Sequence, residues 1–369
     1  MFRQANFAKN TVPLGIYVHV PFCASSCSYC AFYKVAPTRD RIALFLKTIE
    51  AELDLRPWNR APETMYWGGG TPGSLTAQDL SNLGNCFLKR METPPVEWTV
   101  EFSPSTVKAD KLDVLQKTGV TRISMGIQSF SEKTKNTLGR QQTARQVVDA
   151  YNLIKAFPFR KNLDLIFASK NQNIDDWLQD LQQCIDLDPD SISTYCMTDE
   201  SGQSTPDPDR ERDFYLATWD LLEKTGYAQY EVSNFAKPGK ACLHNIRTWE
   251  MAEWMGYGPS AASQMIRPAC VRTKNTASLD DWASGIENRR PHFDEVVTVS
   301  NEELLLDCFI FGLRMPSGVH LDTLRARFGN VDSCLKTLQS LPESLFQNAS
   351  RTALSRDGLL LADTIARLL

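Results

Sequence analysis

Histidine is scarce in this chain. Four occur among 369 residues, and no second close Cys or His pair accompanies its one cysteine cluster. That works against a closed zinc site, which needs four protein ligands. Long apolar runs are missing as well: nothing approaches the ~18 apolar residues of a membrane-spanning helix. The opening Met-Phe-Arg-Gln-Ala-Asn has no apolar centre of the kind a secretory leader carries. Charge excess is also absent, with 40 Lys+Arg against 44 Asp+Glu and a net charge of -4. These absences, with 42% hydrophobic residues, predict an ordinary soluble protein with one large and one smaller domain. The expected address is cytoplasmic, with no transmembrane segment, and unpaired reduced thiols agree with it.

What is present is a cysteine triplet. Pro21-Phe22-Cys23-Ala-Ser-Ser-Cys27-Ser-Tyr29-Cys30 sets three thiols at CxxxCxxC spacing. A cuboidal [4Fe-4S] cluster takes four ligands, so three thiolates leave one iron without a protein ligand. An open metal position is what binding and transforming a small molecule requires. Taken alone, the same residues also suit a redox dithiol or half of a zinc site. The zinc reading lacks its fourth ligand, because Cys86, Cys184, Cys196, Cys242, Cys270, Cys308 and Cys334 are scattered singly.

The rhythm of the chain predicts the fold. Strand-like apolar runs at 14–19, 64–67, 98–102, 122–127, 162–167 and 191–196 alternate with helical patterns at 41–53, 76–90, 145–157 and 174–187. Six such units imply a parallel sheet and an α/β fold, a partial (β/α)6 barrel. Candidate ligands then fall at the C-terminal strand ends, where parallel barrels build their sites. The segment 198–212, rich in Asp, Pro and Ser, reads as a loop leaving the barrel, and 213–225 as a helix. The expected divisions are a core barrel over 1–205, an extension over 206–300, and a small C-terminal helical domain over 301–369. That last domain should end in a short hairpin around Asp357-Gly358. With seven Lys/Arg and eight Asp/Glu it lacks the basic face that nucleic acid requires.

Flanking residues point to a family. Tyr17-Val-His19-Val-Pro21-Phe22 leads into the triplet, and Tyr66-Trp67-Gly68-Gly69-Gly70-Thr71-Pro72 follows after one predicted helix. In this order the chain resembles the radical S-adenosylmethionine (SAM) superfamily, and within it the oxygen-independent coproporphyrinogen III oxidase-like family. The resemblance implies a radical SAM barrel with a [4Fe-4S] cluster on Cys23, Cys27 and Cys30. It also implies SAM chelated by the open iron and cleaved to a 5′-deoxyadenosyl radical, and an electron donor such as flavodoxin or ferredoxin. It places Tyr17, Tyr29, Gly69, Gly70, Thr71, Glu101, Gln128, Arg140, Asp164, Thr198 and Ala262 around SAM. Glycine lets the backbone come close to a cofactor, although a tight strand-to-helix turn accounts for 68–72 equally well. Glu101 is positioned to accept hydrogen bonds from the SAM ammonium, Gln128 and Arg140 to face the ribose and carboxylate, and Thr198 and Ala262 to lie near the adenine. Asp164, within an apolar run, is a core charge or a ribose ligand, and either way needs a partner.

Within that family the heme-chaperone (HemW-like) branch fits best. Phe32 stands where the oxidase carries a further cysteine, and only 22 residues precede Cys23, fewer than the oxidase's N-terminal segment needs. The stretch from Tyr230 to Trp249, containing His244-Asn245, resembles that branch. The resemblance implies heme as a ligand, heme-requiring respiratory proteins as acceptors, and a homodimer as one assembly. Imidazole is a normal axial ligand of heme iron, so His244 is the expected heme ligand, in a segment expected outside the barrel where a planar molecule can reach it. Three departures stand out: Thr248-Trp249 for Tyr-Trp, Ala168-Ser-Lys-Asn-Gln172 for Gly-Leu-Pro-x-Gln, and Gln141-Gln142 where a histidine follows the arginine. The expected function is a heme chaperone with a retained radical SAM site. The alternative is the oxidase itself, decarboxylating two propionates of coproporphyrinogen III. No residue is assigned as catalytic.

Overall fold

The structure, a computed structural model, describes residues 12–24, 27, 29–198 and 207–369. Six strands alternate with helices: β1 (Leu14–Val20), α1 (Arg39–Leu55), β2 (Thr64–Gly69), α2 (Ala77–Leu88), β3 (Glu97–Phe102), α3 (Ala109–Thr118), β4 (Arg122–Gln128), α4 (Glu132–Thr137), α5 (Ala144–Lys155), β5 (Arg160–Phe167), α6 (Ile174–Asp186) and β6 (Ser191–Cys196). Then come α7 (Pro208–Lys224), β7 (Ala228–Glu231), β8 (Asn234–Ala236), α8 (Leu243–Trp249), β9 (Glu253–Tyr257), β10 (Ala262–Met265), β11 (Cys270–Asn275), α9 (Leu279–Glu287) and β12 (Phe293–Val299). The chain closes with α10 (Asn301–Gly312), α11 (Leu321–Phe328), α12 (Asp332–Ser340), α13 (Arg356–Leu360) and α14 (Ala362–Ala366). Helix starts carry their own signals: Thr76 with Asp79, Thr143 with Gln146, and Asn173 with Asp176 close reciprocal capping boxes. Among the described residues no helix is long and apolar enough to cross a membrane.

All twelve strands form one sheet, ordered β12-β11-β10-β9-β1-β2-β3-β4-β5-β6-β8-β7. Pairing is parallel from β9 through β6 and antiparallel at both flanks. Alternation within each strand sorts its side chains to opposite faces. Ile16, Val18, Met65, Trp67, Trp98, Val100, Ile123, Met125, Leu163 and Leu165 join Phe45, Ile49, Leu83, Phe87, Leu112, Val147 and Leu181 of the helices in the main apolar cluster. The other set is polar and paired in register: Tyr17 with Tyr66, Thr99 with Arg122, Glu101 with Ser124, and Asn162 with Ser191. The parallel sheet therefore curls around a polar interior, with its oil outside, between strands and helices.

A second apolar cluster gathers Leu304, Phe309, Leu313, Leu324, Leu338, Leu354 and Ile365, and takes in Met251, Cys270 and Val299. Two expectations are corrected. Residues 208–212 are helical, because Asp207 accepts from Asp209 N and Pro208 opens α7. Asp357-Gly358 lies in the first turn of α13, where the Ser355 hydroxyl accepts from Gly358 N at 3.2 Å, so no hairpin forms there.

Candidate functional site

The loop after β1 is clamped by its neighbours. Cys23 N donates to Val35 O at 3.0 Å and Val35 N to Pro21 O at 2.7 Å, while Gly70 N and Thr71 N reach Val20 O and Phe22 O at 2.9 and 2.7 Å. A Cβ on Gly70 would stand 2.7 Å from Phe22 O, and Gly69 has φ +103 with the His19 ring 2.8 Å from its missing Cβ. The glycines are thus required where the end of β2 crosses the cysteine loop, a closer contact than a simple turn demands. Cys23 Sγ lies 3.7 Å from Thr71 Oγ1. Among the described residues no three Cys, His, Asp or Glu side chains already surround one metal position. The donor chemistry still suits an iron–sulfur cluster, since Cys23, Cys27 and Cys30 are unpaired thiols on one loop. Beside them, Arg140 Nε donates to Tyr29 OH at 2.9 Å. Burial works against the Arg140 charge, while Tyr29 and the sulfurs of Cys27 and Cys23 favour it and hold its pKa up.

On the inner face Tyr17, Tyr66, Glu101 and Asp164 are half-buried, though they sit in the middle of the sheet, so the surface they keep faces the barrel interior. Tyr66 OH donates to Glu101 Oε1 at 2.7 Å. Burial pushes the Glu101 carboxyl up to about 7, against the pull of that hydrogen bond. Asp164 has the partners its burial requires: Ser124 Oγ at 3.1 and 3.3 Å, and Asn162 Nδ2 at 2.7 Å. Asn162 is anchored in turn by Ser193 and Ser191 at 2.8 and 2.6 Å. Gln128 ends β4 with φ +67, where the pairing with β5 shifts register. Tyr17 OH lies 3.2 Å from His19 Nδ1, and His19 Nε2 lies 2.9 Å from Tyr33 O. Thr198 is exposed just beyond β6. Ala262 opens β10, its carbonyl accepting from Trp254 Nε1 at 3.1 Å. These two approach from strands at opposite ends of the parallel run.

His244 does not lie outside the barrel. The Glu97 carboxylate accepts from Leu243 N and His244 N, each at 2.9 Å, and seats α8 under the N-terminal ends of the strands. The imidazole enters the barrel floor, with Nδ1 2.9 Å from Thr64 Oγ1 and its ring 5.3 Å from Tyr66. Burial pulls its pKa down to about 4. Thr248 bonds back to His244 O at 3.0 Å, and Trp249 packs on Phe311 of α10 at 5.6 Å. In the departing segment after β5, Ala168 and Asn171 take φ +58 and +67. Arg210 donates to the carbonyls of Ala168, Ser169 and Gln172 at 2.8, 2.8 and 2.7 Å, which holds a turn lacking glycine and proline. Sequence reasoning passed over Arg210, Arg122, Ser124 and Asn162. Only the last three had a signal, polar residues at every second position of β4 and β5.

Comparison with known proteins covers the same ground. The matching family model is that of the radical SAM superfamily, over residues 17–184, from β1 into α6. The chain is 30% identical to heme chaperone HemW of Lactococcus lactis over 86% of its length and 85% of that protein. To heme chaperone HemW of Escherichia coli it is 33% identical, over 75% of its length and 78% of the relative. Its fold is similar to that of coproporphyrinogen III oxidase (HemN) from Escherichia coli, described as a radical SAM enzyme, with a TM-score of 0.83 and 22% identity over 99% and 91% of the two chains.

Proposed function

The chain belongs to the radical SAM superfamily, in the family of the HemW heme chaperones, and from that premise we propose that it binds heme and passes it to heme-requiring proteins. The observation that carries this reading is identity of 30–33% to HemW across most of both chains. Against it, the likeness to the oxidase stands at 22% identity and is a likeness of fold. Phe32, 65% exposed beside Cys30, agrees with the chaperone branch.

The superfamily implies a [4Fe-4S] cluster and SAM, held by Cys23, Cys27 and Cys30 and by the residues at the mouth of the barrel. Bound there, the cluster would supply the electron that SAM cleavage requires. The chain's own part is positioning. Glu101, fixed by Tyr66, gives up its proton to accept an ammonium, and Arg140, fixed by Tyr29, faces a carboxylate. Asp164, fixed by Ser124 and Asn162, accepts from hydroxyls. For heme, His19 has both ring nitrogens engaged. His244 has Nδ1 on Thr64, which leaves Nε2 for iron, and its burial confines that approach to the barrel interior. His320 lines a small cleft with Trp249 and Met315 outside the barrel.

The test is a heme titration of the cluster-loaded and cluster-free chain, followed by absorption, with His244→Ala and His320→Ala beside it. Heme should bind both forms, and His244→Ala should change the spectrum while His320→Ala leaves it alone. Coproporphyrinogen III should persist with cluster, SAM and reductant present. Its turnover at an enzymatic rate overturns the chaperone reading in favour of the oxidase.

A further inference from the structure

Two buried polar atoms in the barrel floor have no hydrogen-bond partner among the described residues, and they belong to neighbouring residues. They are Thr99 Oγ1 and Arg122 Nε, on residues paired in register between β3 and β4. Thr99 is 0% and Arg122 2% exposed. Arg122 reaches across the inner face from β4 to β6, where Nη2 donates to Ser191 Oγ at 3.2 Å. Among the described residues no carboxylate pairs with this guanidinium. The nearby Glu97 is committed to Arg160 at 3.0 Å and to the first amides of α8. Burial works against the Arg122 charge, but a guanidinium keeps its proton in proteins, and the carboxylate of nearby Glu97 favours the charge.

A buried guanidinium without an acid is among the costlier arrangements a fold can keep. Fully apolar surroundings would have been served better by a neutral residue. The site has the opposite character: an N–H and a hydroxyl without partners stand on adjoining strands, Thr99 in register with Arg122 on one side and with Tyr66 on the other. That donor pair matches the two oxygens of a carboxylate, for which an arginine fork is the best protein partner. Arg122 opens β4 and Gln128 closes it, about 20 Å apart at ~3.3 Å per residue. A molecule with its acid on the floor would extend up the barrel toward the end where the cysteine loop lies.

We propose that Arg122 and Thr99 form a carboxylate-binding subsite at the barrel floor and that the group it takes is a propionate of a tetrapyrrole. The tetrapyrrole class rests on the heme reading above; the carboxylate does not.

The experiment compares binding of heme, heme dimethyl ester and coproporphyrin III to the full chain, to Arg122→Gln, to Arg122→Lys and to Thr99→Val. The wild type should bind both acids about tenfold or more tighter than the ester, and Arg122→Gln should lose that preference. Should Arg122→Gln fail to fold, Arg122→Lys keeps the charge without the fork and should lose part of it. Thr99→Val removes an unsatisfied hydroxyl at constant shape, so it should raise Tm of the unliganded protein while weakening the acids severalfold. A hydroxyl that takes no part in binding would leave the affinity for the acids unchanged whatever happens to Tm, and that result overturns the subsite. Equal affinity for heme and its ester overturns the subsite and spares the chaperone reading. Coproporphyrin III bound through its acids without heme binding does the reverse, and binding of neither acid removes both.

Discussion

Glu101 shows how a single side chain couples the fold to its ligand. Its ordinary value of 4.5 rises to about 7 because burial outweighs the Tyr66 hydrogen bond. Between those two values the folded chain holds a proton that the unfolded chain has released. The contribution of this group to stability is therefore fully present below about pH 4.5 and is lost as pH rises through 7. A bound ammonium reverses the preference, since it favours the carboxylate. Equilibrium dialysis should show SAM affinity rising from about pH 6 and levelling off above about pH 7.5, with close to one proton released on binding at the low end of that range, and Glu101→Gln should flatten the profile. A flat profile in the wild type would separate Glu101 from the ammonium. Gly70 offers a second residue-scale test. A Cβ there meets backbone, the Phe22 carbonyl at 2.7 Å, which cannot rotate away. Gly70→Ala should lower stability by roughly 1–3 kcal/mol and reduce the iron retained per chain after anaerobic reconstitution, because the displaced segment carries Cys23.

At the scale of elements, β1 through β6 were legible because their alternation is strong and their outer sets are mostly apolar. The strand β12 was not, since nearly every residue from Phe293 to Val299 is exposed and no buried face imprints a pattern. The place of α8 was illegible for another reason. His244 meets Glu97 and Thr64 across 147 and 180 positions of sequence, and no local pattern records a contact of that range. The acid that makes those contacts is testable. Glu97 caps α8 and pairs with Arg160 at 0% exposure of its own side chain. Glu97→Gln keeps the shape but removes the charge, and should cost roughly 2–4 kcal/mol. If α8 leans on that charge, hydrogen exchange at 243–249 should accelerate more than in the rest of the barrel. A uniform loss across the chain would mean the pair holds the sheet, with α8 secured elsewhere.

At the scale of the whole molecule, the barrel could be read from its rhythm, but the route of the segment after β6 could not. β7 and β8 extend one edge of the sheet and β9 to β12 the other, a split that hydrophobic periodicity does not encode. The same segment joins two apolar cores. Met251, Cys270 and Val299 belong to the cluster of the C-terminal helices, and Trp249 reaches it through Phe311. Polar ties cross as well, Arg272 to Asp307 and Arg356 to Asp220, both at 2.5 Å. Ties at the surface contribute little, so the apolar contacts decide whether the two cores melt together. The helices from Asn301 onward bury a small core, and small cores are marginal by themselves. Phe309, fully buried in that second cluster, is the place to weaken it: Phe309→Ala should cost about 3–5 kcal/mol. Hydrogen exchange should then rise throughout α10 to α14 and at Met251, Cys270 and Val299, while β1 to β6 keep the protection of the wild type. Acceleration spread equally over the barrel strands would show that the molecule unfolds as one unit and that the second core is part of the first.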